Sequence, residues 1–273
     1  MSAPTPAAPA TSAPRPGRLL LIPNTLDLGC VAADAPPTDL REVLPMGALR
    51  AAARLTHWVA ENAKTTRAFL KRVAEVEPLA APLQAQHIAE LPRPAKGGAK
   101  PDAAATAREL ALLLAPAMQG HDIGLISEAG LPGVADPGAA VVRAAHQIGL
   151  QVVPLSGPSS LVLALAASGL QGQSFAFVGY LPVDGGQRAQ RLRELEQLSR
   201  KAHQTQLVIE TPYRNPALWQ ALVAHLQPQT WLSVSCGLTL AAGFSHSDTV
   251  ARWRERTLDL PTDVPAVFSF LAS

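Results

Sequence analysis

The chain has 273 residues, 48% of them apolar and 16% charged, with 23 basic against 21 acidic side chains for a formal charge of +2. That composition buries a large core and excludes disorder of the main body, at a length where chains tend to divide into two domains. The near-balanced charge excludes a partner selected by bulk electrostatics, and 25 prolines are more than average usage would supply. Residues 1–16 carry five of them among Ala, Ser and Thr. With no apolar core segment, this stretch is expected to be a disordered leader rather than a secretory signal.

The run Arg18–Pro23 is a short apolar strand ended by proline. Residues 24–45 are expected to be irregular, and the pattern over 49–59 is mixed, with a second strand in Thr56–Asn62. Thr65–Val76 is helical, because Phe69, Val73 and Val76 recur at spacings of four and three before Pro78. Residues 78–104 contain PRPAKGGAKP and five prolines, and are expected to form a long loop. A helix over Thr106–Met118 must bend or end at Pro116. Then strand (122–128), helix (138–148), strand (151–155) and helix (159–168) alternate, predicting parallel strands with right-handed crossovers. After Gly172 come strands at 175–181, 206–210, 231–237, 244–253 and 264–272, with helices at 188–203 and 216–226. The fold class is therefore α/β in two parts: a leader (1–16), a parallel-sheet α/β domain (17–172) and a mixed-sheet α+β domain (173–273).

Two loops carry the chemistry. Ser127-Glu-Ala-Gly-Leu-Pro-Gly-Val-Ala-Asp-Pro-Gly138 follows a buried parallel strand and opens a helix, the place where open α/β sheets bind ligands. Its glycines admit close backbone approach, its prolines stiffen the loop, and Asp136 is placed to cap the helix. Pro154-Leu-Ser-Gly-Pro-Ser-Ser160 has the same setting, with Ser159 or Ser160 as the cap and free N–H groups for a ligand. Presented by two adjacent strands, the two loops are expected to share a cleft. The seven histidines show no HxH or HExxH spacing, and Cys30 and Cys236 have no CxxC partner, so neither a metal nor a disulfide framework is expected. No run reaches the length of a membrane helix, and a soluble cytoplasmic protein is expected.

SEAGLPGVADPG, VVPLSGPSS, FAFVGYLP and ETPYRN, in that order, resemble the tetrapyrrole-methylase superfamily of S-adenosyl-L-methionine-dependent methyltransferases. Within it they are most similar to the bacterial branch that methylates ribose 2′-hydroxyls of small-subunit ribosomal RNA. The resemblance runs from about Arg18 to the C-terminus. It implies two α/β domains with the cofactor in the cleft between them, and a homodimer. By position it places Leu26, Ser127, Glu128, Ala129, Gly130, Val134, Ser159, Ser160, Thr211 and Gly237 at the cofactor. The chain departs from the branch in three places. PTPIGNL becomes Pro-Asn-Thr-Leu-Asp-Leu-Gly29, AEDTR becomes Ala60-Glu-Asn-Ala-Lys-Thr-Thr-Arg67, and SDAGTP becomes SEAGLP.

The resemblance thus implies methyl transfer to RNA. The alternatives are a tetrapyrrole or other small metabolite as acceptor, or a cofactor-binding protein without catalysis. A hydroxyl acceptor calls for a proton-accepting group, for which Glu61, Glu128 and Glu210 are the candidate carboxylates, with Arg214 to orient a phosphate or carboxylate. Lys64, Arg67 and Lys71 share a helical face that suits either phosphate contact or plain solvation. Arg188, Arg191, Arg193, Arg200 and Lys201, interleaved with Glu194 and Glu196, read as a solvated face. The four tryptophans are expected to pack in cores.

Overall fold

The computed structural model describes residues 15–27, 38–92 and 103–273. Residues 1–14 of the leader, Gly29, Cys30 and residues 93–101 of the PRPAKGGAKP run lie outside them.

The first sheet is built from β1 (Arg18–Leu21), β2 (His57–Ala60), β3 (His87–Glu90), β4 (Ile123–Ile126) and β5 (Gln151–Pro154). Every neighbouring pair is parallel, in the order β3-β2-β4-β1-β5. Helices α1 (Leu40–Val43), α2 (Met46–Arg54) and α3 (Ala63–Ala74) lie between β1 and β3 in the chain; α4 (Ala103–Met118) and α5 (Ala139–Gln147) flank β4. Two apolar clusters cover the sheet, one built on Leu20, Leu49, Trp58, Phe69 and Leu70, the other on Leu19, Leu114, Ile123, Leu125 and Val141. Strands covered on both faces read as continuous apolar runs, which is why IGLI is legible as a strand.

The strand order corrects one expectation. β4 and β5 are not adjacent, because β1 lies between them. The cleft is therefore made by three loops, with the one after β1 in the middle. Two helices and a strand in the first 92 residues also went unread. α2 hides in an alanine-rich stretch whose buried face is Ala48, Leu49, Ala52 and Ala53, small side chains that favour helix while giving little periodic contrast. α1 is a single turn started by Asp39, whose side chain accepts from the Arg41 N–H. β3 falls within the expected 78–104 loop. It is an edge strand with only Ile88 half-buried, so it carries no alternating pattern. The approach to it is fixed by Gln86, which accepts from Trp58 Nε1 at 3.0 Å and donates to the Ala81 carbonyl at 2.9 Å.

The second sheet has the order β6-β7-β10-β8-β9, from β6 (Phe175–Phe177), β7 (Thr205–Ile209), β8 (Trp231–Cys236), β9 (Phe244–Thr249) and β10 (Ala266–Leu271). Only β6 and β7 pair in parallel, and α7 (Gly185–Ala202) crosses between them; the other pairs are antiparallel. α8 (Asn215–His225) and α9 (Val250–Trp253) complete this half, and the strand expected over 244–253 ends in α9. Trp219, Trp253, Phe268 and Phe270 pack its core, and Trp58 that of the first half. Trp231 is 46% exposed, contrary to expectation, because it opens β8 at the sheet's end. Glu196 is likewise no part of a solvated face. It is buried, and its Oε1 accepts from the Gln227 N–H and the Thr230 hydroxyl.

Helix α6 (Ser160–Ser168) follows β5 yet packs its buried Leu161, Ala164 and Leu165 on Leu207 and Val267 of the second sheet. It precedes Gly172 in the chain and serves the second half in space. Among the described residues no helix is long and apolar enough to cross a membrane.

Candidate functional site

The loop after β1 is stitched to the loop after β4. Asn24 is buried, its N–H donates to the Gly130 carbonyl at 2.8 Å, and its side-chain amide donates to the Ser127 and Glu128 carbonyls at 3.1 and 3.0 Å. The Gly130 N–H returns a bond to the Thr25 carbonyl at 3.3 Å. Behind this seam Asp27, its side chain only 2% exposed, pairs with Arg72 of α3 at 2.9 Å. Burial alone would push the Asp27 carboxyl up, but hydrogen bonds from Arg72 and Thr25 and the Arg72 charge hold it below the usual value. Arg72 also donates to the Thr38 carbonyl at 2.8 Å, so one side chain secures both ends of the residues between β1 and α1. The loop after β5 presses against the same segment. A Cβ on Gly157 would lie 2.1 Å from the Pro23 Cβ, so only glycine fits.

Three carboxylates gather at the carboxyl ends of β2 and β4. Glu61 Oε2 accepts from the Glu128 N–H at 3.3 Å, and Asp136 lies close enough to feel both charges. Desolvation chiefly, then Glu61 and Glu128, push the Asp136 carboxyl up to about 6, with a hydrogen bond to Ser127 opposing. Asp136 is therefore not the helix cap expected of it. Gly138 occupies that position, in a loop where Ala135 also takes positive φ, and no side chain caps α5. The capping expected of Ser159 or Ser160 is absent too: Ser159 occupies the N-cap of α6 without a side-chain hydrogen bond.

The second half faces these loops with the ends of β7, β8 and β10. Glu210, buried, accepts from the Thr211 N–H at 2.8 Å. Its other oxygen lies 2.7 Å from Arg214 Nη2, an ionic contact off the hydrogen-bond axis. Gly237 turns the chain at φ +62°, and a Cβ there would crowd Val264 at 3.2 Å. Between the halves lies a cavity of about 260 Å³. Leu26, Ala129 and Ser160 line it from the first half, and Tyr180, Ile209, Glu210, Thr211, Pro212, Ser235, Gly237, Leu238, Pro265, Ala266 and Val267 from the second, so Glu210 is the one carboxylate on its lining among the described residues.

Of the residues that the resemblance places at a cofactor, Leu26, Ala129, Ser160, Thr211 and Gly237 thus meet on one cavity. Ser127, Gly130 and Ser159 are buried outside its lining, Ser127 donating to the Ala129 carbonyl at 2.9 Å. Glu128 is half-buried beside Glu61, and Val134 is exposed. Glu210 lines the cavity, and Arg214 makes an ionic contact with its carboxylate at 2.7 Å. Sequence reasoning missed Asp136 as an acid and Tyr180 as a wall. The position of Asp136 before α5 suggests a helix cap, and FAFVGYLP signals a strand and a family motif without assigning Tyr180 a contact.

Two other features compete for attention. A wider groove of about 630 Å³ lies beside α8 and α9, but its arginines are committed, Arg254 to the Val223 and Leu226 carbonyls and Arg256 to Asp248 at 3.2 Å. At the amino end of the first sheet His57 stacks between His87 and His121, with ring centroids 4.8 and 4.5 Å away. Desolvation, then the charges of His121 and His87, keep His57 below the usual imidazole value. Among the described residues no group of His, Cys, Asp and Glu is arranged to hold a metal.

The ribosomal RNA small subunit methyltransferase I of Vibrio cholerae is 41% identical over 97 residues, covering 36% of this chain and 32% of its own. The protein of the same name from Mesorhizobium japonicum is 39% identical over 127 residues, 46% of this chain and 42% of its own, so each match spans less than half of the relative. A uroporphyrin-III-C-methyltransferase structure from Thermus thermophilus superposes at TM-score 0.49 and 17% identity over 93% of this chain and 92% of that one, a likeness too slight to carry an argument. The family model of the tetrapyrrole (corrin/porphyrin) methylases matches residues 36–242, about three quarters of the chain. The chain belongs to that family.

Proposed function

We propose that the protein is an S-adenosyl-L-methionine-dependent methyltransferase acting on a ribose 2′-hydroxyl of small-subunit ribosomal RNA, as a cytoplasmic homodimer. The observation that carries this reading is the single cavity closed by Leu26, Ala129 and Ser160 on one side and Thr211 and Gly237 on the other. At about 260 Å³ it lies just below the roughly 300–1,000 Å³ usual for small-molecule sites. The cofactor is assigned to this cavity and the acceptor to its mouth. The family and the name shared by the matched relatives support RNA as that acceptor.

The residues fit the cofactor's chemistry. Apolar Leu26, Ile209 and Leu238 exclude water, the tight Gly237 turn leaves space that a Cβ would fill, and the Thr211 and Ser160 hydroxyls offer polar contacts. When bound, the cofactor's sulfonium supplies an already activated methyl group, so the chain's main task is alignment. The acceptor hydroxyl must lose a proton, and we assign that role to Asp136, which lies outside the cavity lining but within electrostatic reach of its Tyr180 wall. Desolvation chiefly, then Glu61 and Glu128, push its carboxyl up to about 6. Calorimetry with S-adenosyl-L-methionine should release heat with one site per chain, and small ribosomal subunits lacking the modification should take up labelled methyl. Binding without transfer to any RNA would leave a small-metabolite methyltransferase or a cofactor-binding protein; no binding at millimolar cofactor would end the reading.

A further inference from the structure

The chain has two tyrosines, Tyr180 and Tyr213, and both stand in solvent at 59% and 69% exposure. Both leave the carboxyl ends of β6 and β7, the parallel pair of the second sheet. The Ile209 N–H, bonded to the Gly179 carbonyl at 3.2 Å, pins those ends together one residue before Tyr180. The other exposed aromatics, Phe175 and Trp231, open β6 and β8 and so sit at the opposite end of that sheet. Tyr180 is a wall of the cavity; Tyr213 sits in the 3-10 turn Pro212–Arg214 beside it. Neither ring stacks on another among the described residues.

We propose that Tyr180 and Tyr213 form the stacking platform of the acceptor site, each taking the face of an unpaired nucleobase of single-stranded RNA and so setting the methylated ribose at the cavity mouth. This deepens the reading above and rests on it. Base–aromatic stacking is sequence-tolerant and works on splayed single strands rather than on duplex, whose bases are covered. Charge selects the part of the nucleotide that can sit here. Partial burial chiefly, then the charges of Asp136 and Glu210, disfavour loss of the Tyr180 phenolic proton, and the same two carboxylates disfavour a phosphate there while tolerating the neutral face of a base. The phosphates fall instead to exposed Lys64, Arg67 and Lys71 on α3, the helix that leaves the carboxyl end of β2. Rings on the second half and cations on the first then divide one strand between them.

The test uses the full chain and a fluorescein-labelled single-stranded RNA octamer, with the matching duplex as control, read by anisotropy. Tyr213→Ala and Tyr180→Ala should each weaken single-strand binding about 10-fold, within the range for one lost base stack. The double variant Tyr180→Phe/Tyr213→Phe should stay within about threefold of the parent, since the ring and not the hydroxyl is needed. The salt dependence should be unchanged, because no phosphate contact is lost. Alanine variants that bind like the parent, phenylalanine variants that do not recover, a parent that prefers duplex, or a parent that binds no single-stranded RNA would each overturn the platform. Cofactor calorimetry on the parent separates the two claims. A parent with ring-dependent RNA binding but no cofactor binding sinks the methyltransferase and leaves the platform. Cofactor binding with ring-independent RNA binding does the reverse.

Discussion

The two halves of the molecule hold their sides of the cavity by the same device at different range. In the first half Asp27 meets Arg72 across forty-five residues; in the second Glu210 meets Arg214 across four. Both carboxylates have side chains only 2% exposed, and both arginines remain about a fifth to a quarter open. The difference lies in what each pair holds. The long-range pair fastens a strand-end loop to a helix and so belongs to the tertiary fold of its half. The short pair shapes one turn after β7 and leaves the sheet behind it to the packing of Trp219, Phe268 and Phe270. The first half gathers three carboxylates, Glu61, Glu128 and Asp136, beside the cavity, whereas the second places Glu210 on its lining.

That contrast can be broken by substitution. Asp27→Ala takes the carboxylate away from half-buried Arg72 and fully buried Thr25, and should cost about 3 kcal/mol in urea denaturation, the low end for breaking a buried pair. Replacing both members with apolar residues, Asp27→Leu/Arg72→Met, should recover much of it. If the double variant is no better than the single, the pair matters through packing alone.

Asp136→Asn should lower methyl transfer about 100-fold, at the low end of the loss expected for a general base, while cofactor affinity stays within about twofold. Its stability effect has the opposite sign. The folded carboxyl holds its proton up to about pH 6 against 3.8 when unfolded, so the acid form favours folding and that advantage is lost as pH rises through 6. The asparagine variant should therefore match the parent below pH 4 and melt higher above pH 6, by about 1 kcal/mol once solvent screening of this half-exposed group is discounted. A variant that melts lower at pH 7.5 would contradict the desolvated setting of Asp136. Glu210→Ala should affect folding less than Asp27→Ala, by about 1 kcal/mol, because its contact with Arg214 is local to one turn and lies off the hydrogen-bond axis. It should nevertheless weaken cofactor binding severalfold in calorimetry through the loosened Thr211 turn. A loss as large as that of Asp27→Ala would erase the distinction between the halves.

The strands of both sheets were readable where burial is complete. IGLI and WLSVSC are apolar or near-apolar runs because both faces are covered, and their loops announce themselves with glycine and proline. β3 and α2 were not readable for complementary reasons: an edge strand has little burial to pattern, and an alanine face has little contrast. At the site, residues on motif loops such as Ala129, Thr211 and Gly237 could be placed on a shared cleft from the order of motifs. Asp136 and Glu196 were misjudged because a carboxylate's role depends on what surrounds it in space. One was taken for a cap and is a desolvated acid; the other was taken for a surface charge and is a buried acceptor.

The sequence by itself determined the alternation of strand and helix, the glycine and proline loops at strand ends, and through them the family and the expectation of a cleft. These are local properties, set by periodicity and by the conformational limits of single residues. Only the tertiary structure decided that β1 separates β4 from β5, that α6 packs on the second sheet, that three histidines stack, and which carboxylates are paired and which is desolvated. Strand order and proton affinity are both sums over neighbours distant in sequence, and no local pattern of residues contains them.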